Sequence, residues 1–116
     1  EQIRRVLINL FENATDALDK GGTIQIQTKV LNNKKGVRIE FSDNGVGISS
    51  EDRDKLFLPH FTTKRRGTGL GLAIVNRIII DHNGTIKVQD NHPRGTTFII
   101  DLPYSQKNLE FQNSLT

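Results

Sequence analysis

The chain has 116 residues, a net charge of +3 and 34% hydrophobic residues, which fits one folded domain, since domains cluster at roughly 100–150 residues. Charged residues make up 25% of the sequence and interrupt every apolar run before the roughly 18 residues that a membrane span needs. The absence of cysteine excludes a disulfide framework, thiolate metal ligands and a cysteine nucleophile, and it favours a reducing, cytoplasmic setting. The mild basic excess suits an anionic ligand but falls short of a nucleic-acid-binding signature.

The first part of the chain predicts one helix followed by a β-hairpin. Apolar residues recur with helical spacing over residues 3–18, and a Gly-Gly pair ends the pattern. Residues 23–30 and 37–41 then alternate apolar and polar side chains on either side of a polar turn. We therefore expect a hairpin with one buried face.

The middle of the chain predicts a short helix, a loop and a longer helix. Ser49 is suited to cap the short helix, which we expect to extend to Leu58 before a proline. Residues 61–71 show no period and are rich in glycine, threonine and basic residues, which indicates a mobile loop. Residues 70–80 are mainly apolar and predict a largely buried helix that ends at Asn83-Gly84.

A second hairpin, with strands at residues 85–89 and 97–102, completes the predicted order of elements. Adjacent strands that pair as hairpins, with helices on one face, favour an α+β two-layer sandwich over a parallel, doubly wound sheet. We take residues 1–103 as the folded domain and residues 104–116 as a polar C-terminal tail.

Two asparagines and one aspartate are candidates for ligand binding. Asn9 and Asn13 lie four residues apart and share one stripe of the first helix, where amide oxygens suit Mg²⁺, although a solvated helix face is the simpler interpretation. Asp43 begins the segment Asp-Asn-Gly-Val-Gly after a strand. Its carboxylate can accept a hydrogen bond from an amine, and the glycines allow a flat ligand to approach the backbone, but an ordinary Asn-Gly turn is the alternative.

A glycine-rich segment opens the buried helix. Gly67-Thr-Gly-Leu-Gly-Leu72 offers backbone N–H groups at a helix N-terminus, which suits phosphate. Leu72 occupies the position where a dinucleotide fingerprint requires glycine, and no P-loop pattern occurs. Lys64-Arg-Arg66 places cations beside these glycines, with a solvated loop as the alternative. The three histidines show no metal-ligand spacing, and we treat them as non-catalytic.

Taken together and in order, these segments resemble the ATP-binding catalytic domain of bacterial sensor histidine kinases, within the superfamily of gyrase, heat-shock chaperone and mismatch-repair ATPases. The resemblance covers residues 1–103 and implies the Bergerat ATP-binding fold, in which helices lie on one face of a mixed, mainly antiparallel sheet. It rests on an N box at residues 9–17, a G1 box at 43–47, an F box at 56–61, a G2 box at 67–73 and a last signature at 95–98.

The resemblance implies a role for each matching residue. Asn13 would ligate Mg²⁺ with the assistance of Asn9, Asp43 would bind the adenine amine, and Gly45 and Gly47 would shape the adenine pocket. The remaining residues implied to bind ATP are Phe61, Lys64, Gly67, Thr68, Gly69, Leu70, Gly71 and Thr96. Among them, the glycine-rich residues would wrap the phosphates, Thr96 would support the adenine and Phe61 would anchor the lid.

Lys64, Asn9 and Asn13 are the catalytic candidates on this resemblance. Hydrolysing members of the superfamily carry a glutamate where this sequence has Asn9, so the kinase branch fits better. Asp16 stands where many kinases carry Lys or Arg, a pattern more like the nitrogen-regulation kinases. A hydrolytic ATPase with Glu12 as its base is the alternative enzyme, and a module that only docks partners is the non-enzymatic one.

The resemblance also implies partners that lie outside this sequence. The γ-phosphoryl group would pass to a histidine on a dimerisation domain and then to an aspartate on a response regulator receiver domain. The phosphoacceptor segment and the strand that usually precedes the first helix are absent from the 116 residues, so we expect a fragment of a longer, cytoplasmic or membrane-anchored kinase. We expect this domain itself to contact neither nucleic acid nor membrane.

Overall fold

The structure, a computed structural model, describes residues 2–18, 21–32, 35–59 and 71–104. The elements in these ranges are α1 Gln2–Ala17, β1 Ile24–Val30, β2 Gly36–Asp43, α2 Ser50–Arg53, α3 Gly71–Asp81, β3 Thr85–Asp90 and β4 Thr96–Pro103. None of the helices in these ranges has the length and apolar character to cross a membrane.

The strands form one sheet in the order β1-β2-β4-β3, and each of the three pairings is antiparallel. Both predicted hairpins are confirmed, and β2 and β4 are the two central strands. In the register between them, Phe41 lies opposite Phe98 and Asp43 lies opposite Thr96. The last residue of β2 and the first residue of β4 therefore meet at one end of the sheet.

The core lies between this sheet and the helices α1 and α3. Alternate residues of the central strands, such as Phe41 and Ile100, are buried in one cluster with Leu10 of α1 and with Val75 and Ile79 of α3. Burial of such side chains stabilises the fold in proportion to the apolar area removed from water. The predicted α+β two-layer sandwich is confirmed.

The opposite face of the sheet is polar and carries a bidentate ion pair. Arg38 of β2 and Asp101 of β4 are cross-strand partners, with Nε to Oδ1 at 2.7 Å and Nη2 to Oδ2 at 2.9 Å. The hydrogen bond from Arg38, together with the attraction of its charge, holds the pKa of Asp101 below its ordinary value despite partial burial. A sheet with one polar face and one apolar face packs helices on the apolar face alone.

Several predicted boundaries differ from the observed ones. Ser49 caps α2 as expected, since its hydroxyl accepts a hydrogen bond from the Asp52 N–H at 3.2 Å. The helix ends at Arg53 and not at Leu58, because the following bonds, such as Leu58 N–H to the Lys55 carbonyl, span three residues, as in 3₁₀ turns. The loop predicted at residues 61–71 lies, except for its last residue, outside the described residues.

The end of α3 agrees with its predicted stop signal. Asn83 has a φ of 60°, and the Gly84 N–H donates to the Ile79 carbonyl at 2.9 Å. This arrangement satisfies a carbonyl group that the last turn of a helix otherwise leaves unpaired. The helix is buried along one side only, since Ile79 is fully buried whereas Ile80 is 57% exposed.

Candidate functional site

The carboxylate of Asp43 lies at the end of a central strand. The sequence pattern placed the strand end at Phe41, but β2 continues through Asp43, which is 5% exposed. Its Oδ1 atom accepts a hydrogen bond from the Gly45 N–H at 2.9 Å. Among the described residues no second donor reaches this carboxylate, so Oδ2 has the capacity to accept a hydrogen bond from a ligand.

The segment after Asp43 is packed against the end of α1. The Val46 N–H donates to the Ala17 carbonyl at 3.1 Å. A Cβ atom on Gly45 would lie 2.4 Å from the same carbonyl oxygen, which is closer than real Cβ atoms approach. Glycine is therefore required at position 45 by the close approach of two backbone segments.

The turn between β3 and β4 forms the other side of this strand end. Gly95 has a φ of 112°, and a Cβ atom there would lie 1.9 Å from the Asp43 carbonyl oxygen. Gly47, with a φ of 79°, faces the Gly95 carbonyl. Thr96 is 4% exposed and is the cross-strand neighbour of Asp43. The structure thus brings four of the predicted adenine-site residues, Asp43, Gly45, Gly47 and Thr96, to one end of the sheet.

One stripe of α1 connects this strand end with the start of α3. Asn9, Asn13 and Ala17 are spaced by four residues and lie on the same side of the helix. Ala17 contacts Gly45, while Asn9 Oδ1 lies 3.9 Å from the position that a Cβ atom on Gly71 would occupy. The half-buried Asn13 lies between them on a stripe about 12 Å long.

Glu12 belongs to a different side of α1. It lines a groove of about 430 Å³ together with Ile8 and Phe11 of the same helix and with Ile26 of β1. Neighbouring residues of a helix point about 100° apart, so Glu12 does not share the stripe of Asn13. Glu12 is exposed and lies at the edge of this groove, about 60° around the helix from Asn9.

Gly71 is the first residue of α3 and brings the N-terminus of that helix close to Asn9, which lies in the middle of α1. The other residues predicted to wrap the phosphates lie outside the described residues, and their roles stay predictions. They are Phe61, Lys64, Gly67, Thr68, Gly69 and Leu70.

Two asparagines that sequence reasoning missed hold the strand end in place. Asn44 Oδ1 accepts a hydrogen bond from the Thr23 N–H at 2.8 Å, and Asn91 Nδ2 donates to the Asp43 carbonyl at 2.9 Å. Asn44 belongs to the segment after Asp43 that the sequence singled out, but asparagine is common in turns, so the sequence offered no reason to assign a contact to the side chain of either residue. Only the sheet register brings Asn91 next to a residue 48 positions away.

The Asp43 carboxylate lies at one end of the α1 stripe and the N-terminus of α3 lies at the other. The carboxylate suits the amine of a base and the helix N-terminus suits phosphate, and this combination is typical of a nucleotide-binding domain. Residues 1–106 match the family described as histidine kinase-, DNA gyrase B- and HSP90-like ATPase. The chain belongs to this family, and membership implies that it binds ATP.

The relatives with similar sequences and structures include sensor histidine kinases. The chain is 41% identical over 103 residues to the sensor histidine kinase ZraS of Escherichia coli K12, a match that covers 89% of this chain and 22% of the relative. The catalytic domain of histidine kinase ThkA superimposes with a TM-score of 0.77 at 41% identity, covering 88% of this chain and 66% of that one.

A third similar protein is full-length ShkA, whose structure was solved in complex with AMPPNP. It has a TM-score of 0.78 and 27% identity, over 90% of this chain and 22% of ShkA. These matches confirm the predicted family, while the nitrogen-regulation branch stays a prediction. The chain spans about a fifth of the length of the curated relative ZraS.

Proposed function

We propose that this chain binds Mg²⁺ and ATP and presents the γ-phosphate to a histidine on a dimerisation domain of a longer sensor kinase. The observation that carries the proposal is the α1 stripe, which joins a strand-end carboxylate to the start of α3 through two half-buried asparagines. A phosphoryl group on that histidine would pass to an aspartate of a response regulator receiver domain, and the reaction would take place in the cytoplasm.

At the adenine end, Asp43 accepts a hydrogen bond from the exocyclic amine of the base. The Gly45 N–H already donates a hydrogen bond to Oδ1. This bond fixes the orientation of the carboxylate and leaves Oδ2 to accept a hydrogen bond from the amine. Gly47 and Thr96 border the same strand end, and a position without a Cβ atom allows a flat ring to approach the backbone. This end determines which base is bound.

Between the two ends, Asn13 would hold Mg²⁺ with the assistance of Asn9. Amide oxygens are hard ligands that suit Mg²⁺, which binds few protein groups and otherwise substrate phosphates and water. Within the described ranges, no group of three or more His, Cys, Asp or Glu side chains is placed to hold a metal ion, so the amides are the fitting donors there. When bound, the ion neutralises phosphate charge.

At the phosphate end, the N-terminus of α3 directs backbone N–H groups toward the triphosphate. Lys64, Gly67, Thr68, Gly69 and Leu70 would complete this end, with Phe61 as the anchor of the lid. In the transfer step, a nitrogen of the acceptor imidazole forms a bond to the γ-phosphorus while the bond to the β–γ bridging oxygen breaks and ADP leaves. The chain contributes orientation and charge stabilisation.

Hydrolysis is the competing reaction, and it needs a base that activates water. Glu12 is the candidate for that role, yet its side chain lines the apolar groove with Ile8 and Ile26. The position on the site stripe is occupied by Asn9, an amide that cannot take a proton. Transfer to an external acceptor is therefore the reaction that the arrangement supports.

Calorimetric titration with ATP, with and without Mg²⁺, tests this proposal. We expect Mg²⁺-dependent binding in the micromolar to sub-millimolar range, and we expect Asn13→Ala to remove the Mg²⁺ dependence. Asn32→Ala, the same change at an exposed turn on the far end of the sheet, is the matched control. A chain that is folded by circular dichroism and binds no ATP would contradict the proposal, and steady ATP turnover that Glu12→Gln abolishes would favour the hydrolytic alternative.

A further inference from the structure

The turn between β3 and β4 is attached to the end of β2 by one side chain. Asn91 is half-buried, and its Nδ2 atom donates to the Asp43 carbonyl oxygen at 2.9 Å. We propose that Asn91 is a positioning residue that sets the location of the Asp43 carboxylate and thereby the selectivity for the 6-amino group of adenine. This inference rests on the proposed function, in which Asp43 binds that amine.

The carbonyl group that Asn91 contacts has little room to move. The backbone of Gly95 packs so closely on it that a Cβ atom at position 95 would lie 1.9 Å from the oxygen. The Asn91 N–H also donates to the Gly95 carbonyl at 3.0 Å, which closes the turn on itself. Asn91 therefore holds both the turn and the strand end, and loss of its amide leaves a partly buried carbonyl without this donor.

The turn is also fixed from its other side. Asp90, the residue before Asn91, forms an ion pair with Arg53 of α2. Asp90 pairs in register with Thr96, which in turn pairs with Asp43. Because the turn is held by α2 as well, Asn91 joins the Asp43 backbone to a supported segment and not to a free loop.

A comparison of nucleotides with and without the exocyclic amine distinguishes a positioning role of Asn91 from a role in the stability of the fold. The Asp43 carboxylate interacts with one group of the ligand, the exocyclic amine. The carbonyl group that Asn91 contacts belongs to the same residue, so a shift of this carbonyl also moves the carboxylate. If Asn91 acts by positioning Asp43, its loss weakens the contribution of that amine to binding. If Asn91 only stabilises the fold, its loss affects nucleotides with and without the amine equally.

The experiment measures the affinities of ADP and of purine riboside diphosphate, which lacks only the 6-amino group, for the wild-type chain and for Asn91→Ala. We expect wild type to prefer ADP by at least about tenfold, from the usual value of a hydrogen bond to a charged group. In Asn91→Ala we expect ADP affinity to fall about five- to tenfold, close to the effect of one hydrogen bond, and the preference for ADP to fall to about threefold or less.

Asn91→Ser provides a second uncharged variant, whose side chain is one atom too short to make this hydrogen bond and whose residue type is common in turns, and it is measured if the alanine variant does not fold. Asn32→Ala is the control, and it should leave both affinities unchanged. An undiminished preference for ADP in the folded Asn91 variants would overturn the inference while leaving ATP binding intact. A wild-type chain that binds neither nucleotide would instead overturn the proposed function, and this inference with it.

Discussion

Exchange of the Asp43 carboxylate for an amide of the same shape tests the adenine assignment directly. In Asp43→Asn, the oxygen that accepts the Gly45 N–H at 2.9 Å is retained, so the local turn keeps its hydrogen bond. The second oxygen becomes an NH₂ group, which presents a donor where the ligand amine also presents a donor. The variant therefore changes the binding contact and leaves the fold supported.

The structure sets the size of the expected effect. Asp43 is 5% exposed, so water cannot readily replace the lost contact. A hydrogen bond to a charged group contributes about 1.5–3 kcal/mol, which at about 1.4 kcal/mol per factor of ten is roughly 12- to 140-fold in affinity. We expect Asp43→Asn to weaken ATP and ADP binding within this range, and Asp43→Ala to weaken it at least tenfold while also lowering stability, because Gly45 loses its acceptor.

Calorimetric titration with ADP measures the affinity, and thermal denaturation checks that each variant is folded. Asp54→Asn is the matched control, since Asp54 is exposed at the end of α2 and the change in charge is the same. ADP affinity within twofold of wild type for a folded Asp43→Asn chain would refute the reasoning, because the carboxylate would then contribute nothing to base binding.

Two further predictions concern the fold. Ile79→Ala should lower the free energy of unfolding in urea by about 2–5 kcal/mol because Ile79 is fully buried, whereas Ile80→Ala, at a 57% exposed neighbour, should change it by about 0.5 kcal/mol or less; similar values for both would contradict the assigned core. The pKa of Asp101 is lowered by Arg38, so this pair stabilises the fold above the unfolded-state pKa of about 4, and the contribution is lost as pH falls through the folded-state value. Asp101→Asn should therefore reduce stability at neutral pH and flatten its decline as the pH falls below about 4, and equal pH slopes would count against the ion pair.

Local patterns in the sequence predicted the elements that depend on local chemistry. The alternation around Ile39 and Phe98 predicted the two hairpins, because side chains on a half-buried strand alternate between faces. The serine cap of α2 and the Asn83-Gly84 stop of α3 follow from local backbone bonds and were predicted for the same reason. The end of α2 was predicted wrongly. The backbone hydrogen bonds change there from a four-residue to a three-residue spacing, and such a change leaves little trace in the sequence.

The contacts that shape the candidate site depend on register and could not be predicted in the same way. The strand end at Asp43, its approach to Gly95 and the hydrogen bond from Asn91 all require knowledge of which residues of β2 and β4 lie opposite each other. Residues far apart in the chain are in contact there, and the periodicity of the sequence does not indicate which residues these are. The motif residues were predicted because of their resemblance to a family, whereas Asn91 became evident only from the assembled sheet.

Helix α1 carries three different surfaces on 16 residues. The stripe through Val6, Leu10 and Ala14 is buried in the core, the stripe through Asn9 and Asn13 carries the amides of the candidate site, and the stripe through Arg4, Ile8 and Glu12 lines the groove beside β1. A slip of this helix by one residue would rotate it by about 100° and exchange the asparagines for a neighbouring stripe. Burial of the apolar stripe therefore allows only one rotation of the helix about its axis. The packing of the core thus also determines the direction in which the two asparagine amides point.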